Sequence, residues 1–384
     1  MRWLWQAPNW PELRYDAASL SRVVAAARQA QGHLRGKTEA LDSLGQLPAE
    51  SQVWTEEALA TAAIEGEALD PVAVRSSIAR RLGLAGPRVA VPRAVEGLLD
   101  LMQDAAHNWN AALTKERLCR WQAALFPTGR SGLTRIAVGA YRRGEMQIVS
   151  GPLGHETVHY EAVPGAAVNA EMRALIHWFN TTGKSGEHDG VVRAGLAHLW
   201  LETVHPFEDG NGRVGRALID LALAQDARAH WRMHGLAQRL MKDREAYYEA
   251  LNQAQRGGVD VTGWLRWFLR TFESACKDSL VIVDEAVERG QYWAKFHAAD
   301  LSGNQRKAVA KLLDAGKGSF EGGMTPRKFA SLTHTSAATA TRELSDLISK
   351  GMLVRMGAGR STRYELPMPD WQWKPEQDAP ETAT

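Results

Sequence analysis

Apolar residues recur three and four positions apart along most of the chain, the period of a helix packed on one side. Leu196, Leu199, Trp200 and Val204 give such a face over 191–204, and Val214, Leu218, Leu221 and Leu223 give another over 214–223. Upstream, the pattern predicts a helix over 17–47 opened by Asp16 or Ser19, one over 56–66 capped by Thr55, and one over 71–82 after Asp70. Val95, Leu98, Leu99 and Met102, then Leu113, Leu118, Trp121 and Leu125, extend it over 92–125. Met172, Leu175, Ile176 and Phe179 do the same over 168–180, with a polar loop expected over 181–189. Tyr247 and Tyr248 stand on a helix over 243–251, and the stripe Trp264, Trp267, Phe268 and Phe272 reads as core over 261–283.

Two stretches break this period. Residues 1–16 carry Trp3, Trp5, Pro8, Trp10, Pro11 and Tyr15, an arm expected to pack on the domain body, because aromatics bury large areas. Residues 129–165 hold glycines and short runs, with Met146, Ile148 and Val149 before 150–154 and Thr157, Val158, His159 and Tyr160 after it, the pattern of a β-hairpin. Beyond 287 the organisation changes to short helices over 304–313, 325–332 and 336–350, then two strands at 351–355 and 363–366. The expected division is an arm and helical extension over 1–49, a helical domain over 50–285, a winged-helix-like domain over 290–366, and a flexible polar tail over 367–384. The fold class is mostly α, with a small hairpin set in the helical core.

Composition narrows the setting. A chain of 384 residues with 45% apolar and 23% charged residues is globular and long enough for more than one core. A formal net charge of +2 gives no global attraction to nucleic acid. Cys119 and Cys276 are the only cysteines, which excludes a disulfide framework and leaves two free thiols. With no signal-like N-terminus and no apolar run of about 18 residues, the expectation is a soluble, cytoplasmic protein without membrane contact.

The chemistry is concentrated in His205-Pro206-Phe207-Glu208-Asp209-Gly210-Asn211-Gly212-Arg213-Val214-Gly215-Arg216. Pro206 disfavours the helical conformation at His205, so the imidazole projects from a helix end, and it is the one group of the run that titrates near neutral pH. Gly210 and Gly212 free the turn, which then presents successive N–H groups at a helix N-terminus, a seat for phosphate oxygens. Arg213 and Arg216 share a helical face and can clamp one polyanion; Asp209 is a hard oxygen ligand suited to magnesium between phosphates. Singly, each residue fits a loop tying two packed helices. A capping loop, however, needs neither two arginines nor a histidine behind it.

The run resembles the signature of the Fic domain family, H-P-F-x-[D/E]-G-N-G-R-x-x-R, at every fixed position. The resemblance spans roughly 50–275, plus the arm, whose Trp5, Pro8, Trp10 and Pro11 are similar to an extension found before some Fic domains. It implies an all-helical domain that transfers AMP from Mg-ATP to a hydroxyl of a target protein. By the same resemblance His205 is the general base, and Asp209 binds Mg2+ at the α and β phosphates. Asn211 and nearby amides form the anion hole, Arg213 holds the transferring and β phosphates, and Arg216 meets the γ phosphate. Thr61-Ala62-Ala63-Ile64-Glu65-Gly66 resembles the family's inhibitory motif [S/T]-x-x-x-E-[G/N], which implies that Glu65 pairs with Arg216 and displaces the γ phosphate. Residues 139–142 and 159–164 resemble the flanks of the family's flap, so the 142–161 region is expected to pair with an extended target segment. One of Tyr247 and Tyr248 is expected in the core and the other beside adenine, with Gln255 a further adenine contact.

Two rivals stand beside adenylyl transfer. One is removal of AMP by the same site, with Glu65 orienting the attacking water; the other is a DNA-binding regulator whose helical domain senses nucleotide. Arg342, Arg355, Arg360 and Arg363 can meet phosphates, whereas Glu343 and Asp346 repel them, so protein docking or a homodimer contact is placed ahead of DNA for the winged helix.

Overall fold

The computed structural model describes residues 3–41, 43–84, 89–150, 157–230 and 233–374. The chain divides into two compact units, Met1–Val283 and Asp284–Thr384. The first is built from α1 (Ala17–Glu39), α2 (Ser43–Ile64), α3 (Pro71–Arg81), α4 (Arg93–His107) and α5 (Lys115–Leu125). After these come a short pair, β1 (Arg130–Ser131) and β2 (Thr134–Arg135), and a longer one, β3 (Gln147–Ser150) and β4 (Thr157–Glu161). Helices α6 (Val168–Ser185), α7 (Gly190–Val204), α8 (Asn211–Ala227), α9 (Leu236–Lys242), α10 (Arg244–Gln255) and α11 (Thr262–Lys295) complete it, the end of α11 belonging to the second unit.

Local chemistry sets several helix starts. Asp16 accepts from Ser19 N, Asp70 from Val72 N with Pro71 in the first turn, Thr114 from Arg117 N, and Asp189 from Val191 N and Val192 N. Every residue of α7 is buried, as a helix apolar all round must be, and α8 is buried from Arg213 to Ala224. These two pack along each other; α1 and α6 flank α7, while α2, α4 and α5 reach α8. The motif's turn therefore lies between the two most enclosed helices. The polar residues inside α7, among them His198 and Glu202, are exceptions in an apolar helix.

The structure departs from the sequence expectations at several ends. The helix expected over 17–47 stops at Glu39, and a new one begins at Ser43 and runs to Ile64, so the 56–66 segment is the last part of a long helix. Thr55 is interior: its hydroxyl donates to Ser51 O (2.7 Å), the back-bond available to a mid-helix threonine, and it caps nothing. α6 extends through 181–185, where a loop was expected, and ends on Gly186 in the left-handed region. α9 has no counterpart in the expected set. β3 and β4 pair antiparallel, Gln147 opposite Glu161 and Ile148 opposite Tyr160, with a register shift after Ile148. The turn expected over 150–154 falls, from 151 on, outside the described residues.

In the second unit α12 (Gly303–Asp314), α13 (Pro326–Thr333) and α14 (Ala337–Ser349) precede an antiparallel pair, β5 (Val354–Met356) and β6 (Arg363–Glu365). Val309, Leu312, Phe329, Leu344, Leu347 and Leu353 form its core with Tyr292 from α11. The flexible tail expected from 367 does not hold over its first part. Pro369–Trp371 forms a single 3-10 turn, and Trp371 is buried in this core with its indole N–H on Glu288; an indole with a partner is a strong anchor. Glu343 and Asp346 are held by Ser302, Gln305 and Lys350, while Arg342 and Arg355 are exposed. Among the described residues no helix is long and apolar enough to cross a membrane.

Candidate active site

His205 ends α7 in the left-handed region, φ 50° and ψ 61°, an arrangement that costs a non-glycine residue about 1 kcal/mol or more and needs support from its surroundings. Arg142 supplies much of that support. Its side chain is 1% exposed and donates to His205 O (2.7 Å), Val204 O (3.0 Å), Val163 O (2.6 Å) and Gly144 O (2.7 Å), while its own N–H donates to Pro206 O (2.9 Å). Tyr160 Oη donates to Thr203 O (2.6 Å). A cation and a hydroxyl thus satisfy carbonyls that the end of α7 leaves open, and the same two residues tie the β3–β4 hairpin to His205.

The imidazole keeps one edge towards solvent, its side chain being 16% exposed, and turns Nδ1 inward. That nitrogen is buried without a hydrogen bond, 3.7 Å from Glu202 Oε2. Burial and the Arg142 charge lower the His205 pKa to about 4, so the ring is neutral at pH 7. A neutral imidazole at a helix end can accept a proton.

The turn after it is held by Asn211, whose Oδ1 accepts from Phe207 N (2.9 Å) and whose Nδ2 donates to Phe207 O (2.8 Å). Both ends of the amide are therefore engaged within the loop, and one of the two Nδ2 N–H bonds is left for the anion hole that the resemblance implies. Asn211 shapes the turn. Gly210 precedes α8 at φ 89°, and a side chain on it would run into Phe126. The Asp209 carboxylate is partly exposed, accepts from Gly210 N and the Ser131 hydroxyl, and lies 3.7 Å from Arg213. Among the described residues no cluster of three or more acids, histidines or cysteines could hold a metal alone. One hard oxygen ligand nevertheless fits magnesium, which binds few carboxylates and takes its other ligands from phosphates and water.

The two arginines meet α2. Arg216 Nε donates to Thr61 Oγ1 (2.6 Å), and its Nη2 to Thr61 O (2.9 Å) and Glu65 Oε1 (2.7 Å). Arg213 Nη1 donates to Glu67 Oε2 (2.8 Å). A Cβ on Gly212 would lie 2.2 Å from Glu65 Oε1, so only a glycine admits this carboxylate to the first turn of α8. Burial pushes the Glu65 pKa up, but Arg216, then Arg213 and His205, outweigh it and leave the group below its ordinary value. A carboxylate therefore occupies the helix N-terminus where phosphate oxygens are favoured. α2 is fixed there by Glu57, which accepts from Ala237 N (3.0 Å) and Gln238 N (2.9 Å) at the start of α9. Arg244 and Tyr248 donate to Ile64 O, and Gly66 ends the helix at φ 78°.

The remaining predicted contacts separate. Tyr247 is 2% exposed, with Oη 2.9 Å from His198 Nε2, and Gln255, 2% exposed, donates to Glu202 O (3.0 Å). As placed, neither presents surface to an adenine: Tyr247 takes the core place expected for one of the two tyrosines, and Gln255 lies in the core with it. Tyr248, half-buried beside Glu65, is the tyrosine that borders the site. The N-terminal arm grips the hairpin: Trp3 Nε1 donates to Glu161 Oε2 (3.3 Å), Trp5 Nε1 to Glu161 O (2.8 Å), and Trp3 packs edge-on against Tyr160.

Residues 112–223 match the model of the Fic/DOC family. The chain carries a Fic/DOC domain. Residues 3–84 match a second model, described as a domain of unknown function (DUF4172). That region, ahead of the Fic domain, contributes both the arm and the Thr61–Glu65 segment. The probable protein adenylyltransferase aq_aa38 of Aquifex aeolicus is 29% identical over 121 residues, 32% of each chain. Protein adenylyltransferase Fic of Nematostella vectensis is 37% identical over 115 residues, 29% of this chain and 24% of that one. The chain thus spans a third or less of the length of these curated relatives. Among solved structures, a Fic family protein from Desulfovibrio desulfuricans G20 superposes with a TM-score of 0.54 at 19% identity, covering 93% of this chain and 98% of that one. Fic-1 (residues 134–508) of C. elegans gives 0.50 at 19% identity, covering 69% and 74%. At these identities the likeness is one of fold.

Glu67, Glu202 and the capping role of Arg142 escaped the sequence reading. Glu67 directly follows the motif and looks like a solvated acid. Glu202 and His198 were detectable as polar breaks in an otherwise apolar face.

Proposed function

We propose that this chain is a Mg-ATP-dependent protein adenylyltransferase that moves AMP to a Ser, Thr or Tyr hydroxyl of a target protein or of itself, restrained by Glu65. The observation that carries this reading is the Glu65 carboxylate seated on Arg216 and the first turn of α8, a stand-in for a nucleotide phosphate beside a neutral histidine. His205 takes the proton of the incoming hydroxyl as its oxygen bonds to the α phosphorus and the bond to pyrophosphate breaks. The α8 backbone N–H groups and the two arginines compensate the phosphate charge, and Asn211 keeps the turn in shape. Asp209 would hold Mg2+ once ATP supplies the other ligands, and the ion would add charge neutralisation between phosphates.

For ATP to take the seat, both arginines must change partners. Glu65 leaves Arg216, and Glu67 leaves Arg213. The hairpin, with Ile148 and Val158 partly exposed, is the proposed contact for an extended target segment, positioned from behind by Trp3 and Trp5. We carry the winged-helix reading of the second unit forward with protein docking as its role.

Removal of AMP remains the second reading, favoured by one observation: Glu65 lies against the first turn of α8, the helix that follows the His205 loop, where it could orient an attacking water. Products separate the two. Supplied with ATP labelled on the α phosphate and a cell lysate, the E65G protein should label a protein band and release pyrophosphate, and E65G/H205A should do neither. Loss of label from a modified protein with release of free AMP, and no pyrophosphate, would overturn the transferase reading.

A further inference from the structure

Behind His205, on the side away from solvent, lies a line of buried polar side chains that the chemistry above does not use. Glu202 Oε2 is 3.7 Å from His205 Nδ1. Glu202 Oε1 and His198 Nδ1 both crowd the α-carbon of Gly215, lying 2.6 Å and 2.9 Å from where a Cβ would stand. His198 Nε2 is 2.9 Å from Tyr247 Oη. Glu202, His198 and Tyr247 are all buried, and three atoms of the line, His205 Nδ1, Glu202 Oε1 and His198 Nδ1, have no hydrogen-bond partner. A buried unpaired polar atom costs about 1–3 kcal/mol, so three around one glycine call for an explanation.

One protonation pattern makes the neighbours in this line complementary, with His198 Nε2 and Tyr247 Oη already at hydrogen-bond distance. If His205 carries its proton on Nδ1, Glu202 Oε2 accepts it; if Glu202 is protonated on Oε1, that group faces His198 Nδ1; and His198 Nε2–H then donates to Tyr247 Oη. The pattern leaves His205 Nε2, on the exposed edge, with a free lone pair. That is the form a general base requires. At 3.7 Å the His205–Glu202 pair is longer than a hydrogen bond, and such contacts commonly tighten only when substrate fills the site. Burial and the nearby Glu65 charge, offset in part by Arg216, raise the Glu202 pKa to about 8, and burial lowers that of His198 to about 3, which agrees with a protonated acid beside a neutral ring.

We propose that Glu202, backed by His198 and Tyr247, is the positioning residue of His205, holding it as the Nδ1–H tautomer so that Nε2 is the base. The proposal rests on the transferase reading for its kinetic consequence but not for the tautomer itself. Gly215 belongs to the same arrangement, because any side chain there would separate Glu202 from His198.

The test uses E202Q and E202A in the full-length E65G protein, with the unmodified E65G chain as reference. Nitrogen-15 NMR of the histidines, assigned with H205A, should show Nδ1–H for His205 in the reference and in E202Q, whose amide accepts and donates as the protonated acid does, and a loss of that preference in E202A. E202Q should stay within about tenfold of the reference, whereas in E202A the kcat for AMP transfer should fall at least about 100-fold, as when an orienting group is lost, with the KM for ATP within threefold. The acid limb of the rate profile should shift as well; the groups facing this pair are Arg142, Asp209, Arg216, His198 and Tyr247, with Glu65 absent from this background. E202Q keeps both the shape and the hydrogen bonds of the protonated acid, so its retention of what E202A loses separates this role from loss of the side chain's packing. Transfer by E202A within twofold of the reference, an unchanged tautomer in E202A, or loss of the tautomer in E202Q would overturn the proposal. No transfer by the E65G reference would sink the transferase reading instead, leaving the tautomer to decide on Glu202.

Discussion

Asn211 illustrates how one side chain can set the shape of a site through the backbone beside it. Its amide closes two hydrogen bonds on the backbone of Phe207, a residue with no exposed surface, and so fixes the path from His205 to α8. Asn211→Ala removes both bonds and leaves a buried N–H and a buried C=O unpaired. We expect a loss of about 2–4 kcal/mol in chemical denaturation, and transfer by N211A/E65G reduced by more than tenfold. Unchanged stability would show that water replaces the amide. His205 adds a pH dependence of definite sign. With a folded pKa of about 4 against 6.5, it is neutral throughout the neutral range and contributes no stability there. Below pH 6.5 the unfolded chain takes up the proton first, so this group destabilises the fold progressively as pH falls towards 4.

At the scale of elements, the end of α2 acts as a plug. Docked by Glu57 on α9, the helix places Thr61 and Glu65 on Arg216, and the turn after Gly66 adds Glu67 on Arg213. The two acids differ in setting. Glu65 is the more enclosed, while the Glu67 side chain is 40% exposed, and an exposed ion pair contributes at most about 1 kcal/mol. Glu67→Ala should therefore raise AMP transfer only two- to fivefold over wild type in a labelled-ATP assay, less than E65G does. An effect as large as that of E65G would show that Arg213, not Arg216, is the contested arginine.

Across the whole molecule, the helical core and the signature were legible because their signals are dense: α7 and α8 are apolar runs at helical spacing, and the motif fills twelve consecutive positions. What was not legible depended on contacts between distant segments. No local pattern shows that Arg142 caps a helix some sixty residues on, or that Tyr247 and Gln255 turn inward to His198 and Glu202 instead of outward to a nucleotide. Thr55 misled because a threonine before two glutamates is a cap signal wherever the helix has not already begun, and here it had begun at Ser43. Trp371 was lost in a polar, proline-bearing context that resembles a tail, although its burial needs only one indole-sized gap in the second unit's core. Arg216 is where these levels meet, held by Thr61 and Glu65 from the DUF4172 region and belonging to the Fic signature. The measurement that bears on this most directly is the initial rate of label incorporation from α-labelled ATP by the wild-type and E65G proteins, at equal concentration and in the same lysate. Release of Arg216 predicts that E65G is at least tenfold faster; equal rates would contradict it.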